Sequence, residues 1–414
     1  MPFLFLHRHY QPSVAFGGAD VNLSDVAVGA VCIAAVLTRA PVARAARGAV
    51  AVVAVLAFAV LAWTAWGAHF DGYPTRTHLV TAGKFIEYML LVPAVALIVR
   101  RPRDLMPAAF AAVAWSVVAT TVGVLQFFGA VGDLDHTPAG RREPSLLDYH
   151  DFSALSAAVL LLALLVVATG RGPRRIAVVA AVSGVLGMVI GGAFDAVLGL
   201  VLGAALILVA CRVREPRRVA LIAGAALAVL LGTIMIRGQA VADGLKFLGI
   251  KQGNGGASTN VQSYRQRVLL AYIGGRIFLD HPALGVGFEG SGDHFAYAPY
   301  VADAKKRFDQ PAVAFPSPAH PWGVQNAYVQ LLADLGVLGP LLFLAAALTP
   351  VALALRRGSR PAAVAGGALV LLALGVWNGF GIVAGIPLDA LTWLGAGICL
   401  ASLANPTEPL SPSS

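Results

Sequence analysis

Apolar runs of about 18 to 22 residues recur along the chain from residue 23 to residue 404, separated by Gly, Pro or clustered arginines. A helix of that length crosses a hydrocarbon layer of about 30 Å and satisfies its own backbone hydrogen bonds, so the pattern predicts membrane-spanning helices. Runs and breakers together place them over 23–38, 48–67, 79–99, 105–129, 151–169, 176–191, 194–211, 218–236, 326–355, 362–380 and 386–404. The expected fold is an all-α polytopic membrane protein of about eleven transmembrane helices with one large outer loop. It divides the chain into N-terminal helices over 1–236, the loop over 237–323, C-terminal helices over 324–404 and a cytoplasmic tail over 405–414.

Charge assigns sides. Arg39/Arg44/Arg47, Arg100/Arg101/Arg103, Arg171/Arg174/Arg175, Arg212/Arg214/Arg217/Arg218 and Arg356/Arg357/Arg360 occupy every second connection, which the positive-inside rule makes cytoplasmic. The stretches around 71–78, 129–150 and 237–322 then face outward from the cell inner (cytoplasmic) membrane. An odd helix count with a cytoplasmic C-terminus puts the N-terminus outside, which carries the expectation that a leading helix has been lost.

Composition agrees: 58% of the 414 residues are hydrophobic, 12% are charged, and mean hydropathy is +0.77, unlike a soluble domain. The net charge of +9 comes mostly from the short clusters between apolar runs, so it marks topology and not a nucleic-acid partner. Cys32, Cys211 and Cys399 lie in or beside apolar segments and read as packing residues.

Charge within apolar runs is costly and draws attention. Lys84 and Glu87, three apart on one helix, are expected to pair. Asp195, near the start of its helix, is expected to cap it or to meet an outer-loop arginine. Gln126 and Asn378 read as helix-helix hydrogen-bonding groups.

Residues able to do chemistry gather on the outward side: Arg141, Arg142, Asp148, His150 and Asp151 in one loop, and Tyr264-Arg265-Gln266-Arg267, Asp280-His281-Pro282, Glu289, His294, His320 and Gln325-Asn326 in the other. The large loop reads as Gly/Asn-rich turns over 253–256, a helix from Arg265 to Leu279, and a Pro/Gly-rich second half.

Three stretches carry a resemblance. Arg267 stands fourteen residues before His281-Pro282, followed by Leu284-Gly285-Val286-Gly287; Asn326 precedes Gly336-Val337-Leu338-Gly339 by nine intervening residues; and Lys84-Phe85-Ile86-Glu87-Tyr88 leads through Arg103-Asp104-Leu105 to Leu125-Gln126. In this order, over residues 22 to 400, the chain resembles the O-antigen ligase and polymerase superfamily of membrane glycosyltransferases. That resemblance implies an undecaprenyl-diphosphate-linked glycan donor, a glycan or lipid acceptor, and metal-independent transfer with no cofactor. The chain departs from the family pattern at Gln325, where a histidine precedes the asparagine, and at Phe194-Asp195, where Ser-Arg is common.

Such a transfer must neutralise a leaving diphosphate, for which guanidinium forks are best suited. Arg267 is the first candidate, followed by Arg142 and Arg265. The acceptor hydroxyl needs a base, and His320 is the expected one, with His281, Glu289 and His150 as alternatives. Gln325 and Asn326 are expected to hydrogen-bond substrate. The outer histidines and acids lack a short metal-ligand spacing, and the chain has no phosphate-binding Gly loop. Two other functions share these features: a transporter or flippase of lipid-linked saccharide, and a catalytically silent member that only binds polyprenyl glycan.

Overall fold

The computed structural model describes residues 2–7, 10–16, 19–38, 42–132, 142–238, 241–242, 264–358 and 360–404. Arg141, the 253–256 turns and the 405–414 tail lie outside the described residues.

A short hairpin, β1 (Ser13–Phe16) with β2 (Ala19–Asn22), opens an otherwise helical chain. The helices are α1 (Leu23–Leu37), α2 (Arg47–Gly67), α3 (Thr75–Met89) running into α4 (Leu91–Ile98), α5 (Met106–Phe127), α6 (Tyr149–Thr169), α7 (Arg174–Gly191), α8 (Phe194–Ala210) and α9 (Pro216–Ile236). The loop contributes α10 (Tyr264–Asp280) and α11 (His294–Arg307), and the chain ends with α12 (Ala327–Leu335), α13 (Leu338–Arg356), α14 (Pro361–Trp377) and α15 (Pro387–Ala404). Seven of these segments are long and apolar enough to cross a membrane, and α1, α8, α14 and α15 are shorter apolar helices. The apolar side chains left exposed fit lipid as their solvent: Leu221, Leu227, Leu231 and Met235 all stand on the outside of α9.

Two expectations change. The predicted 326–355 helix is broken at Gly336, whose φ of +64° no ordinary helical residue adopts, giving α12 and α13. The second half of the loop is not turn alone. Residues 294–307 form α11 despite Pro299, burying Ala296, Tyr297 and Ala304 and placing Lys305, Lys306 and Arg307 at the negative end of the helix.

The core is one large apolar cluster running through the bundle, with a smaller one under α10 and α11 and a third where Val95 and Val99 meet Ala401. At its centre lies α6, with 78% of its span buried, against 17% for peripheral α9. Close crossings place it there. Gly184 on α7 sits so near Ser156 and Leu160 of α6 that a methyl would meet both at 2.8 Å, and Gly375 on α14 lies directly on Gly199 of α8.

The start of α9 meets the end of α6 and the start of α14 meets the end of α15, while the starts of α6 and α8 and the ends of α7 and α9 meet one another and α10 at the other end, here the loop end. The arginine end is held partly by its own charges: Arg218 donates to the Ala168 carbonyl at the end of α6, and Arg360 donates to Ser402 near the end of α15.

Replacing Gly375 with leucine should overfill the α8–α14 crossing and cost about 1–3 kcal/mol or more. Gly224→Leu, on a helix face with open space, should change stability by less than about 0.5 kcal/mol. Thermal melting in detergent separates the two, and equal melting temperatures would count against the packing described.

Candidate functional site

The α6 N-terminus is built by Asp148, whose carboxylate accepts from the His150 backbone N–H at 3.1 Å and so starts the helix. This places His150 in the first turn, facing the first turn of α8, where Asp195 stands. His150 Nδ1 lies 2.6 Å from Asp195 Oδ2, and both side chains are almost fully buried. On the far side of the ring, Arg267 Nη2 from α10 lies 3.1 Å from His150 Nε2. A guanidinium can only donate and a carboxylate can only accept, so these partners assign His150 as the neutral tautomer with its proton on Nδ1. Phe380 covers the ring, with centroids 5.1 Å apart.

Two more arginines join from other elements. Arg142 lies over the Tyr149 ring at 4.0 Å, while Arg237, at the end of α9, donates to the Gly192 carbonyl at 3.1 Å and faces the Phe194 ring. Both flank Gly192, the left-handed residue that ends α7. Burial holds Arg142 below the usual guanidinium range, aided by the Arg267 charge, against the pull of Tyr149, Asp148 and Asp195. Arg237 is brought down to about 10 by burial and by its neighbours Arg142 and Arg267. Three guanidiniums beside the N-termini of α6 and α8 make a setting that favours an anion.

The predicted residues divide. Arg267, Arg142 and His150 come together; Arg265, two residues from Arg267, falls about 200° around α10 and does not join. Asp195 meets His150 through Oδ2 while its Oδ1 accepts from the Ala196 backbone N–H at 2.9 Å in the first turn of α8, so it serves the helix start as expected and reaches His150 instead of an arginine. His320 is exposed in a tight turn with Ser317, stacked on Trp322, and makes no contact with the cluster. His281 ends α10 and packs edge-on to Phe70. Asn326 caps α12 by accepting from Val329 N–H and donates to the Asn378 carbonyl at 2.7 Å, next to Gly379, which lies against Asp195. Gln325 is half-buried beside it. Arg237 and Phe380 were not foreseen; the only sequence signal was an arginine directly after an apolar run at the loop end.

The Gly-rich stretches are the joint between loop and bundle. Trp63 and Trp66 of α2 donate to the Leu284 and Gly285 carbonyls, and Tyr73 donates to Phe288. Val286 and Gly287 amides donate to the Ala333 and Asp334 carbonyls of α12. Gly287 rests on the Gly67 backbone, where a methyl would have no room. Asp334 is the anchor: its carboxylate accepts from the Glu289 and Ser291 amides at 3.1 and 2.8 Å. Glu289 accepts from Gln330, which also pins Ile382.

Burial lifts the Asp334 carboxyl to about 6, outweighing the Ser291, Glu289 and Gln330 donors, and lifts Glu289 well above its usual range with Asp334 as a like charge beside it. A carboxyl whose folded pKa is raised from 3.8 stabilises the fold fully at low pH and loses that contribution as pH rises through about 6. The Val286 and Gly287 amides should therefore open more readily at about pH 7.5 than at about pH 5, once intrinsic exchange rates are divided out. Asp334→Asn should flatten that difference; a pH-independent opening rate in the unaltered protein would refute the account.

No protein-family model matches the chain, and no curated relative matches it either.

Proposed function

We propose that this protein is a membrane glycosyltransferase that takes a glycan from a polyprenyl diphosphate, undecaprenyl diphosphate in the family it resembles, and joins it to a glycan or lipid acceptor. The carrying observation is the gathering of Arg142, Arg237 and Arg267 around a neutral histidine held by a buried carboxylate. The reaction takes place at the loop end, which faces outward, since the arginine clusters occupy the opposite end. The eleven apolar helices all span in this reading.

The cluster suits both halves of the chemistry. When the bond between the anomeric carbon and the diphosphate oxygen breaks, negative charge grows on the departing lipid diphosphate. Three guanidiniums and two helix N-termini already aimed at the site stabilise it without reorganising. The acceptor hydroxyl attacks the anomeric carbon and gives up its proton to His150 Nε2, while Asp195 holds the Nδ1 proton and steadies the imidazolium that forms. In the resting site Arg267 covers that nitrogen. A bound diphosphate draws the guanidinium toward itself, so donor binding uncovers the base. Gln325 and Asn326, at the edge of the same end of the bundle, are placed to orient sugar hydroxyls.

The role expected of His320 passes to His150, which alone among the candidate histidines is both buried and polarised by a carboxylate. A transporter would place its charged groups near the midplane on broken helices. Here the arginine–histidine cluster stands in the first turns of α6 and α8 and in the segments beside them, while Asp25, Lys84 and Glu87 form a separate group between α1 and α3.

Reconstitution with a radiolabelled polyprenyl-diphosphate oligosaccharide tests the reading. Arg267→Ala and His150→Gln should each lower transfer by roughly 10²–10³-fold, whereas His320→Ala should leave it unchanged. Transfer at the unaltered rate by Arg267→Ala would overturn the assignment. Ion-gradient-driven movement of intact lipid-linked saccharide, without a new glycosidic bond, would replace it with transport.

A further inference from the structure

A cavity of about 370 Å³ lies apart from the arginine cluster, where the hairpin and the first turn of α1 meet α3. Its apolar wall is Val21, Val26 and Val80; its polar wall is Asp25, Lys84 and Glu87. The expected Lys84–Glu87 pair does not form. Lys84 Nζ turns instead to Asp25 Oδ2 at 3.0 Å and to the Asp20 carbonyl at 2.6 Å, because the first turn of α1 brings a carboxylate and strand β2 a carbonyl to it together. Asn22 N–H also donates to Asp25 Oδ2.

Two acceptors are left over. Asp25 is 7% exposed, and its Oδ1 has no hydrogen-bond partner among the described residues. Glu87 faces the cavity from the next turn of α3 and makes no hydrogen bond or ion pair among the described residues; it only feels the charges of Asp25 and Lys84. A buried acceptor without a donor is costly, so the cavity calls for a ligand that brings N–H or O–H groups. Two carboxyl groups around one ammonium leave more acceptors than Lys84 can serve. A simple anion would bring none of the missing donors, while a cation with no anionic group would leave Lys84 facing only protein.

We propose that this cavity binds the head of a zwitterionic aminophospholipid, such as phosphatidylethanolamine. Its ammonium supplies the donors that Asp25 Oδ1 and Glu87 lack, and its phosphate lies against Lys84. The acyl chains continue over the exposed stripe of Val26, Ile33 and Leu37, which share one face of α1 at spacings of seven and four. The volume falls within the range of small-ligand sites. A choline head cannot fill this role, since its quaternary nitrogen has no N–H to give. The inference needs only the membrane setting and stands apart from the transfer reaction.

The test is native mass spectrometry of the purified full-length protein in detergent, titrated with phosphatidylethanolamine, its mono- and dimethyl forms, phosphatidylcholine and phosphatidylglycerol of identical acyl chains. Affinity should fall stepwise with each methyl, about tenfold from ethanolamine to choline, and phosphatidylglycerol should bind no better than choline. Glu87→Gln, which breaks no hydrogen bond seen here, should reduce ethanolamine binding toward the choline value with an unchanged melting temperature. Equal retention of ethanolamine and choline lipids by the unaltered protein would refute the proposal, as would tightest binding of phosphatidylglycerol or unchanged selectivity in Glu87→Gln.

Discussion

Buried positive charge gathered from separate segments is the constraint around which the loop end of this molecule is arranged. Arg142, Arg237 and Arg267 arrive from three separate segments, yet the carboxylates acting on them are Asp148, already committed to starting α6, and Asp195, committed to His150. Bringing guanidiniums together in this way is unfavourable in the free protein, and the cost is met by the packing beneath them. The central position of α6 follows from that demand. Its first turn carries His150, so glycines on α7 that let α6 approach closely also fix where the imidazole stands.

The same logic explains why the loop is docked so heavily. Arg267 belongs to α10, which is joined to the bundle by the 282–293 segment and α12. Indole and phenol donors from α2 and the following turn, together with the Asp334 carboxylate, hold that segment. If it shifted by an ångström, the contact between Arg267 and His150 would be lost. The Gly-rich motifs therefore serve the site at a distance. They fix backbone geometry at a crowded joint, and the side chains that bear the charge lie elsewhere.

Much of the bundle was legible in the sequence because an apolar run of about twenty residues has few alternatives in lipid. Nine of the eleven expected helices appear as single helices within a few residues of their predicted limits, and 79–99 starts four residues earlier and is divided at Leu90 into α3 and α4. The other exception, 326–355, was misread because Gly336 lies in an otherwise unbroken apolar stretch and only its positive φ reveals the break. The hairpin β1–β2 and helix α11 were missed because each depends on tertiary packing more than on local pattern. In the site, Arg267, Arg142 and His150 were foreseen as candidates, but not as one cluster. His320 drew attention by its closeness in sequence to Gln325-Asn326, whereas a tight turn directs it to solvent. Arg237 and the Asp195–His150 pair could not be seen without coordinates, since the residues of each contact are separated by 45 positions.

Polar groups gather in two forms, and the difference matters. Around His150 the gathered groups are guanidiniums and helix N-termini, both of which attract anions. Between α1 and α3 the surplus is of acceptors, with Lys84 serving only part of them and Asp25 Oδ1 left without a donor among the described residues. A site of the first kind suits a multivalent anion; one of the second suits a group that carries its own cation and donors. A helical membrane protein can satisfy every backbone group internally, so buried polar side chains that remain unsatisfied are informative. Their sign and geometry describe what the protein is built to hold more directly than its apolar helices do.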